Sequence, residues 1–128
     1  TANARVWGMT AMRLTRDRFW LNARIAGGRW LYRASHVLIF SALSRRAAPL
    51  LHRRQIRHTG AVFGLLQNGR VDEAYILKLL SRLPDGDSEL YSHPSLDVFK
   101  HELDALISPR VRRSVQDHNI RLIRYQDL

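Results

Sequence analysis

From residue 61 onward the chain alternates short apolar runs with amphipathic stretches, and that order narrows the choice of fold more than any other feature. Ala61 to Leu66 is an apolar run bounded by Thr59-Gly60 and Gln67-Asn-Gly69, the pattern of a buried strand or loop. Residues 72–83 have helical spacing: Ile76, Leu77, Leu80 and Leu83 form one stripe, and Asp72 and Glu73 occupy the first turn, where the helix dipole favours acids. Pro84-Asp-Gly86 is a turn, because proline presets φ and glycine accepts positive φ. Glu89 to Ser92 forms a short strand. Residues 97–107 are helical, with Val98 or Phe99, Leu103 and Leu106 or Ile107 facing inward. Ser108-Pro109 caps and opens another helix to about Asp117, His118-Asn119 ends it, and Ile120 to Tyr125 closes as a strand. Strand, helix, strand, two helices and strand is the order of a parallel α/β unit.

Residues 1–58 have a different texture. They carry twelve arginines against one acid, Asp17, a net of +11, while residues 59–128 carry nine Lys/Arg against ten acids, a net of −1. The chain therefore divides into a basic helical segment (1–58) and an α/β portion (59–128). Residues 4–26 are expected as a helix with Met9, Met12, Phe19 and Ala23 along one stripe, broken by Gly27-Gly28. A second helix is expected over 30–45, and Pro49 opens a third through Arg57.

Such a basic segment suits an anionic partner. Arginines among Trp7, Trp20, Trp30 and Tyr32 would grip RNA by phosphate contacts and stacking. They would equally form interfacial helices on anionic lipid, or surface helices packed on another domain with solvated arginines. No run crosses a bilayer: the uncharged stretch from Ala34 to Ser44 has eleven residues where about twenty are needed. The chain opens at Thr1 without an initiator methionine or a targeting segment, and the expectation is the later part of a longer protein.

With no cysteine, disulfides, thiolate metal sites and thiol nucleophiles are excluded, as suits a reducing compartment. No two of the six histidines have the spacing that places both on one helical face, and there is no glycine-rich phosphate loop or nucleophile elbow. His93 is the best single candidate for chemistry. It follows a strand, and Pro94 pushes it into an extended conformation at the strand's carboxyl end, the catalytic face of β/α barrels. An imidazole there would act as acid or base near neutral pH. The plainer alternative is a loop histidine bonded to neighbouring backbone. Glu89 would orient a histidine or simply cap an edge. His101 has the character of a solvated helical histidine.

These pieces resemble the C-terminal half of the YdjC-like carbohydrate deacetylases, and most closely the branch associated with hopanoid biosynthesis (HpnK-type). The matching segments are Val62-Phe-Gly-Leu65, Asn68-Gly-Arg-Val-Asp-Glu73, Leu80-Ser-Arg-Leu-Pro84, Glu89-Leu-Tyr-Ser-His-Pro-Ser95 and Ser108-Pro-Arg-Val-Arg112, together with the ending Ile120-Arg-Leu-Ile-Arg-Tyr-Gln-Asp-Leu128. Residues 1–58 are similar to the family only in texture.

The resemblance implies the C-terminal part of a distorted β/α (TIM-like) barrel that removes the N-acetyl group of an amino sugar. In the HpnK-type branch the sugar is carried on a glycosylated hopanoid lipid. It implies a divalent metal, Mg or Zn, in the full-length enzyme. Its ligands, an aspartate of an Asn-Ala-Asp-Asp-Phe-Gly motif and histidines of the first half, are not in this chain, so none of its residues is assigned to metal and the fragment alone is expected to be inactive. His93 would assist the attacking water or protonate the departing amine, with Glu89 beside it at the mouth of the site. Arg29, Trp30, Tyr32 and Arg33 are expected to face substrate or membrane as a lid. The expected partners are an amino-sugar or glycolipid substrate, a peripheral membrane contact and a second copy of the chain, with nucleic acid not expected. The expected location is cytoplasmic, at the periphery of the inner membrane. The competing reading is a stand-alone basic helical module that binds nucleic acid or an anionic membrane.

Overall fold

The computed structural model describes residues 8–15, 30–67 and 69–128. Its centre is a parallel pair of strands, β1 (Ala61–Phe63) and β2 (Ser88–Leu90), in the register Ala61↔Ser88, Val62↔Glu89 and Phe63↔Leu90. The expected α/β character is therefore present, and the sheet has two strands among the described residues. Parallel neighbours need a crossover. It runs through a 3-10 turn at Leu65–Gln67 and helix α2 (Glu73–Leu80), which is named after the earlier helix α1 (Trp30–Arg53). Asp72 caps α2, its Oδ1 accepting from the Tyr75 N–H at 2.7 Å. Helices α3 (Lys100–Ile107) and α4 (Pro109–Asp117) pack against α2.

The core joins Ala61 and Phe63 of β1 to Val71, Tyr75, Ile76 and Leu79 around α2, to Ala105 of α3 and to Val111 of α4. Leu90 packs on the same cluster, so strand alternation turns Val62 and its partner Glu89 to the opposite face. Ser108 ties the helices together: its hydroxyl accepts from the Arg110 and Val111 amides and donates to Glu73 Oε1 at 2.5 Å. Arg110 adds an ion pair to the same carboxylate at 2.7 Å. Asn119 ends α4 at φ +51, with the Ile120 and Asn119 amides bonded back to the Val115 and Gln116 carbonyls, the closing motif expected at His118-Asn119.

Four expectations are corrected. Residues 9–15 are not helical: Met12 N–H donates to the Arg57 carbonyl and Arg57 N–H to the Thr10 carbonyl, both at 2.9 Å, so this stretch lies parallel to the lead-in of β1. Leu14 is buried there against Leu51 and Ile56, which holds it extended; the rest of the helix expected over 4–26, with the break at Gly27-Gly28, lies outside the described residues. Second, α1 is one helix that carries Pro49 within it rather than two. Pro49 removes one hydrogen bond near the end, while Leu51, 1% exposed, anchors the final turn. Gln55 at φ +57 then closes the helix, with Ile56 N–H on the Leu51 carbonyl and Gln55 N–H on the His52 carbonyl.

Third, Leu106 and Ile107 are both exposed, because the inward face of α3 is formed by Glu102 and Ala105, while of Val98 and Phe99 it is Phe99 that is half-buried. Fourth, Ile120 to Arg124 makes no strand; the tail passes irregularly into a 3-10 turn at Tyr125–Asp127. Its polar anchors replace sheet pairing: Arg124 bonds Asp127, and Tyr125 reaches across to β2.

Candidate functional site

The candidate site is assembled where β1 and β2 end. Beyond Leu90 the parallel ladder gains one more bond, from the Tyr91 N–H to the Phe63 carbonyl at 2.8 Å, and the chain then turns outward through Ser92, His93 and Pro94. Glu102, 0% exposed, fixes this exit. Its Oε2 accepts from the His93 backbone N–H at 2.5 Å and its Oε1 from the Val71 N–H at 3.1 Å. One carboxylate thus clasps the loop after β2 to the loop entering α2.

The His93 ring is half-buried and held from two sides. Nε2 shares a hydrogen bond of 2.8 Å with the Tyr91 hydroxyl, and the two rings meet edge-on with centroids 4.7 Å apart. Phe99 lies 5.9 Å away, centroid to centroid. Arg13 places its guanidinium carbon 5.0 Å from the centre of the Tyr91 ring, a cation–π geometry. Arg13 also pairs with Glu89, whose side chain is 10% exposed, and Glu89 accepts a further hydrogen bond from the Tyr125 hydroxyl.

The two residues singled out in the sequence therefore belong to one network, although no direct bond joins them among the described contacts. The path runs Tyr125, Glu89, Arg13, Tyr91, His93. The carboxylate that anchors the histidine backbone is Glu102, which the sequence reading passed over along with Arg13, Tyr91 and Tyr125. Trp30, Tyr32 and Arg33 fall at the start of α1, and Arg29 lies outside the described residues. His101 is exposed, with Nε2 donating to the Gly69 carbonyl at 3.0 Å.

Electrostatics follow from this arrangement. The hydrogen bond to Glu89 and its negative charge hold Arg13 in its charged form, raising its pKa above the ordinary value. Burial raises the Tyr125 pKa above its ordinary 10.0, and the hydrogen bond to Glu89 raises it further, because a phenolate beside a carboxylate is disfavoured. A raised folded value means that this contribution to stability is complete below the unfolded pKa and is lost as pH rises through the folded one. Stability is expected to fall above about pH 10, and Tyr125→Phe to flatten part of that fall. Chemical denaturation of both proteins across the alkaline range checks this; parallel curves would show that Tyr125 contributes nothing.

A groove of about 920 Å³ runs beside β2. Ile76, Leu80, Leu90, Val111 and Ile123 give it apolar walls, and Arg13, Glu89 and Tyr125 belong to its lining. Among the described residues no three His, Asp or Glu side chains converge where a metal ion would bind. Among them, too, no helix is long and apolar enough to cross a membrane.

A family model described as YdjC-like protein matches residues 2–117. The match extends through the arginine-rich segment, where the sequence resembled the family in texture alone. No curated protein and no solved structure matches the chain.

Proposed function

The chain belongs to the YdjC-like protein family, which is associated with carbohydrate deacetylase-type function, and on that premise we propose that it forms one wall of an amino-sugar N-deacetylase. In this reading the parallel strands are the C-terminal part of a distorted β/α barrel, and His93 is the acid–base group at its rim. The observation that carries the reading is the placement of His93. It leaves the carboxyl end of a parallel strand, its backbone is clamped by a buried carboxylate, and its ring is oriented by Tyr91.

The reaction is amide hydrolysis: water adds to the acetyl carbonyl, the C–N bond breaks, and acetate leaves while the sugar nitrogen gains a proton. His93 moves a proton in that sequence, and Arg13 and Glu89 hold its surroundings. A divalent metal, Mg²⁺ or Zn²⁺, would polarise the carbonyl and lower the pKa of water. Among the described residues no set of ligands for it is found; we assign its ligands to polypeptide outside this chain, without which the chain would be inactive. The substrate we assign is an N-acetylglucosaminyl group on a hopanoid lipid, met in the cytoplasm at the inner membrane.

The test is acetate release from an N-acetylglucosaminyl glycolipid by the enzyme that carries this chain. His93→Ala is expected to lower kcat by about 10²-fold or more, the usual contribution of a positioned acid–base group, with folding and metal content retained. Unchanged turnover in that variant removes His93 from the chemistry, and no acetate release from any N-acetylated amino sugar sinks the deacetylase reading.

The basic segment supports the membrane part of the proposal. Leu43 and Leu50 of α1 are 55% and 48% exposed, among exposed Arg45, Arg46 and Arg53 and with no acid in the helix. An anionic bilayer offers both charge and an apolar interior to such a face. The chain is expected to sediment with anionic vesicles and to be released by salt; equal retention on neutral vesicles at low salt would remove this part.

A further inference from the structure

The contacts around His93 also determine which of its ring nitrogens carries the proton. Nε2 is occupied by the Tyr91 hydroxyl at 2.8 Å, and no partner of Nδ1 is found among the described residues. Two arrangements satisfy that bond: the phenol donates to an unprotonated Nε2, or a protonated Nε2 donates to the phenol oxygen. Three features favour the first. A phenol oxygen is a poor acceptor because its lone pair is delocalised into the ring, whereas an unprotonated imidazole nitrogen is a good one. If Tyr91 accepted, its own O–H would need another acceptor, and none is found among the described residues. Finally, the Arg13 cation over the Tyr91 ring draws electron density from it and strengthens the phenol as a donor.

Glu89 makes the third feature persistent. A free arginine with a side chain 42% exposed would sample many rotamers, but pairing with a carboxylate that is itself bonded to Tyr125 holds the guanidinium in place. We propose that Arg13, Tyr91 and Glu89 are positioning residues that fix neutral His93 as the Nδ1–H tautomer, so that it meets its substrate as a proton donor. The inference deepens the deacetylase reading of the same site. With Nε2 engaged, the proton available to a departing sugar amine is the one on Nδ1. As the N–H bond at Nδ1 breaks and the new N–H bond forms on the leaving nitrogen, the Tyr91 O–H bond breaks and its proton passes to Nε2, leaving a neutral imidazole and a phenolate beside the Arg13 cation.

Among the described residues, the charged and titratable groups facing this ring are Tyr91 from β2's extension, Arg13 behind it, and Glu102 on the backbone beneath, with His101 beyond Phe99. None of them offers Nε2 a carboxylate that would favour the other tautomer.

Nitrogen-15 spectra of the imidazoles in this chain, recorded at mildly alkaline pH, test the assignment without any assay of activity. The expected result is a pyrrole-type Nδ1 and a pyridine-type Nε2 for His93. Tyr91→Phe, which keeps the ring and removes only the hydroxyl, is expected to convert most of the population to the Nε2–H form that free histidine prefers. Glu89→Gln is expected to give a smaller shift in the same direction. A pyrrole-type Nε2 in the unmodified chain, or an unchanged pattern in a folded Tyr91→Phe, overturns the proposal. In the enzyme that carries the chain, Tyr91→Phe is expected to lower kcat for acetate release about tenfold or more, with KM within about twofold. The expected spectra without acetate release from any amino sugar would leave the positioning intact and remove the deacetylase reading instead.

Discussion

Replacing Gly64 by alanine is expected to destabilise the protein by about 3–5 kcal/mol, a large share of the stability of a small domain. Gly64 follows β1 directly and has φ +93, a conformation that residues with a Cβ rarely adopt. A Cβ built there would lie 2.0 Å from the Tyr91 carbonyl oxygen and 3.1 Å from its carbon. That obstacle is backbone, so no rotamer change relieves it. Tyr91 cannot retreat cheaply either, since its N–H is bonded to the Phe63 carbonyl and its side chain holds His93. The strain and the overpacking add, and relief would require the two strands to part where the candidate site is built. Denaturant unfolding checks the value. A midpoint indistinguishable from the unmodified protein would mean that the strand ends are not packed as described.

Glu102→Ala is expected to cost a similar amount, about 3–5 kcal/mol. Two amides, those of Val71 and His93, lose their acceptor at once, and each unsatisfied buried donor costs about 1–3 kcal/mol. Glu102→Gln is expected to rescue little despite its matching shape. One end of its amide would accept a bond, but the other would present a donor to a donor. Amide exchange gives the more specific readout: in Glu102→Ala the Val71 and His93 amides are expected to lose protection together, because one side chain serves both. A melt unchanged from the parent, or protection lost at one site only, would show that the clasp does not act as a unit.

How much of this was legible in the sequence depended on distance along the chain. Helix α2 could be read because its apolar spacing and its acidic start are local, although Asp72, expected in the first turn, caps the helix instead; the same holds for Ser108-Pro109 at the start of α4 and Asn119 at its end. The extended course of residues 9–15 could not be read, because its hydrogen-bond partner is Arg57, beyond the whole of α1. Pro49 suggested a helix start, and only the burial of Leu51 against Leu14 and Ile56 explains why the helix runs through it.

At the site, His93 and Glu89 stood out by position, yet the residues that connect them did not. Tyr91 had a usable signal, since residues two apart on an extended chain share a side. Glu102 had one as well. It is spaced three residues from both Phe99 and Ala105, and a lone carboxylate on an apolar helical stripe marks a buried acceptor. Arg13 had none, because nothing local links it to Tyr91.

The carboxylate of Glu73 has a mechanical consequence. It stands in the first turn of α2 while taking bonds from Ser108 and Arg110 at the start of α4, so two positive helix ends converge on one negative group. The crossover between the strands and the rod that carries the tail are thereby riveted at a common hinge point. Any swing of the tail away from β2 must turn about that rivet, and Tyr125 at the far end would sweep the widest arc.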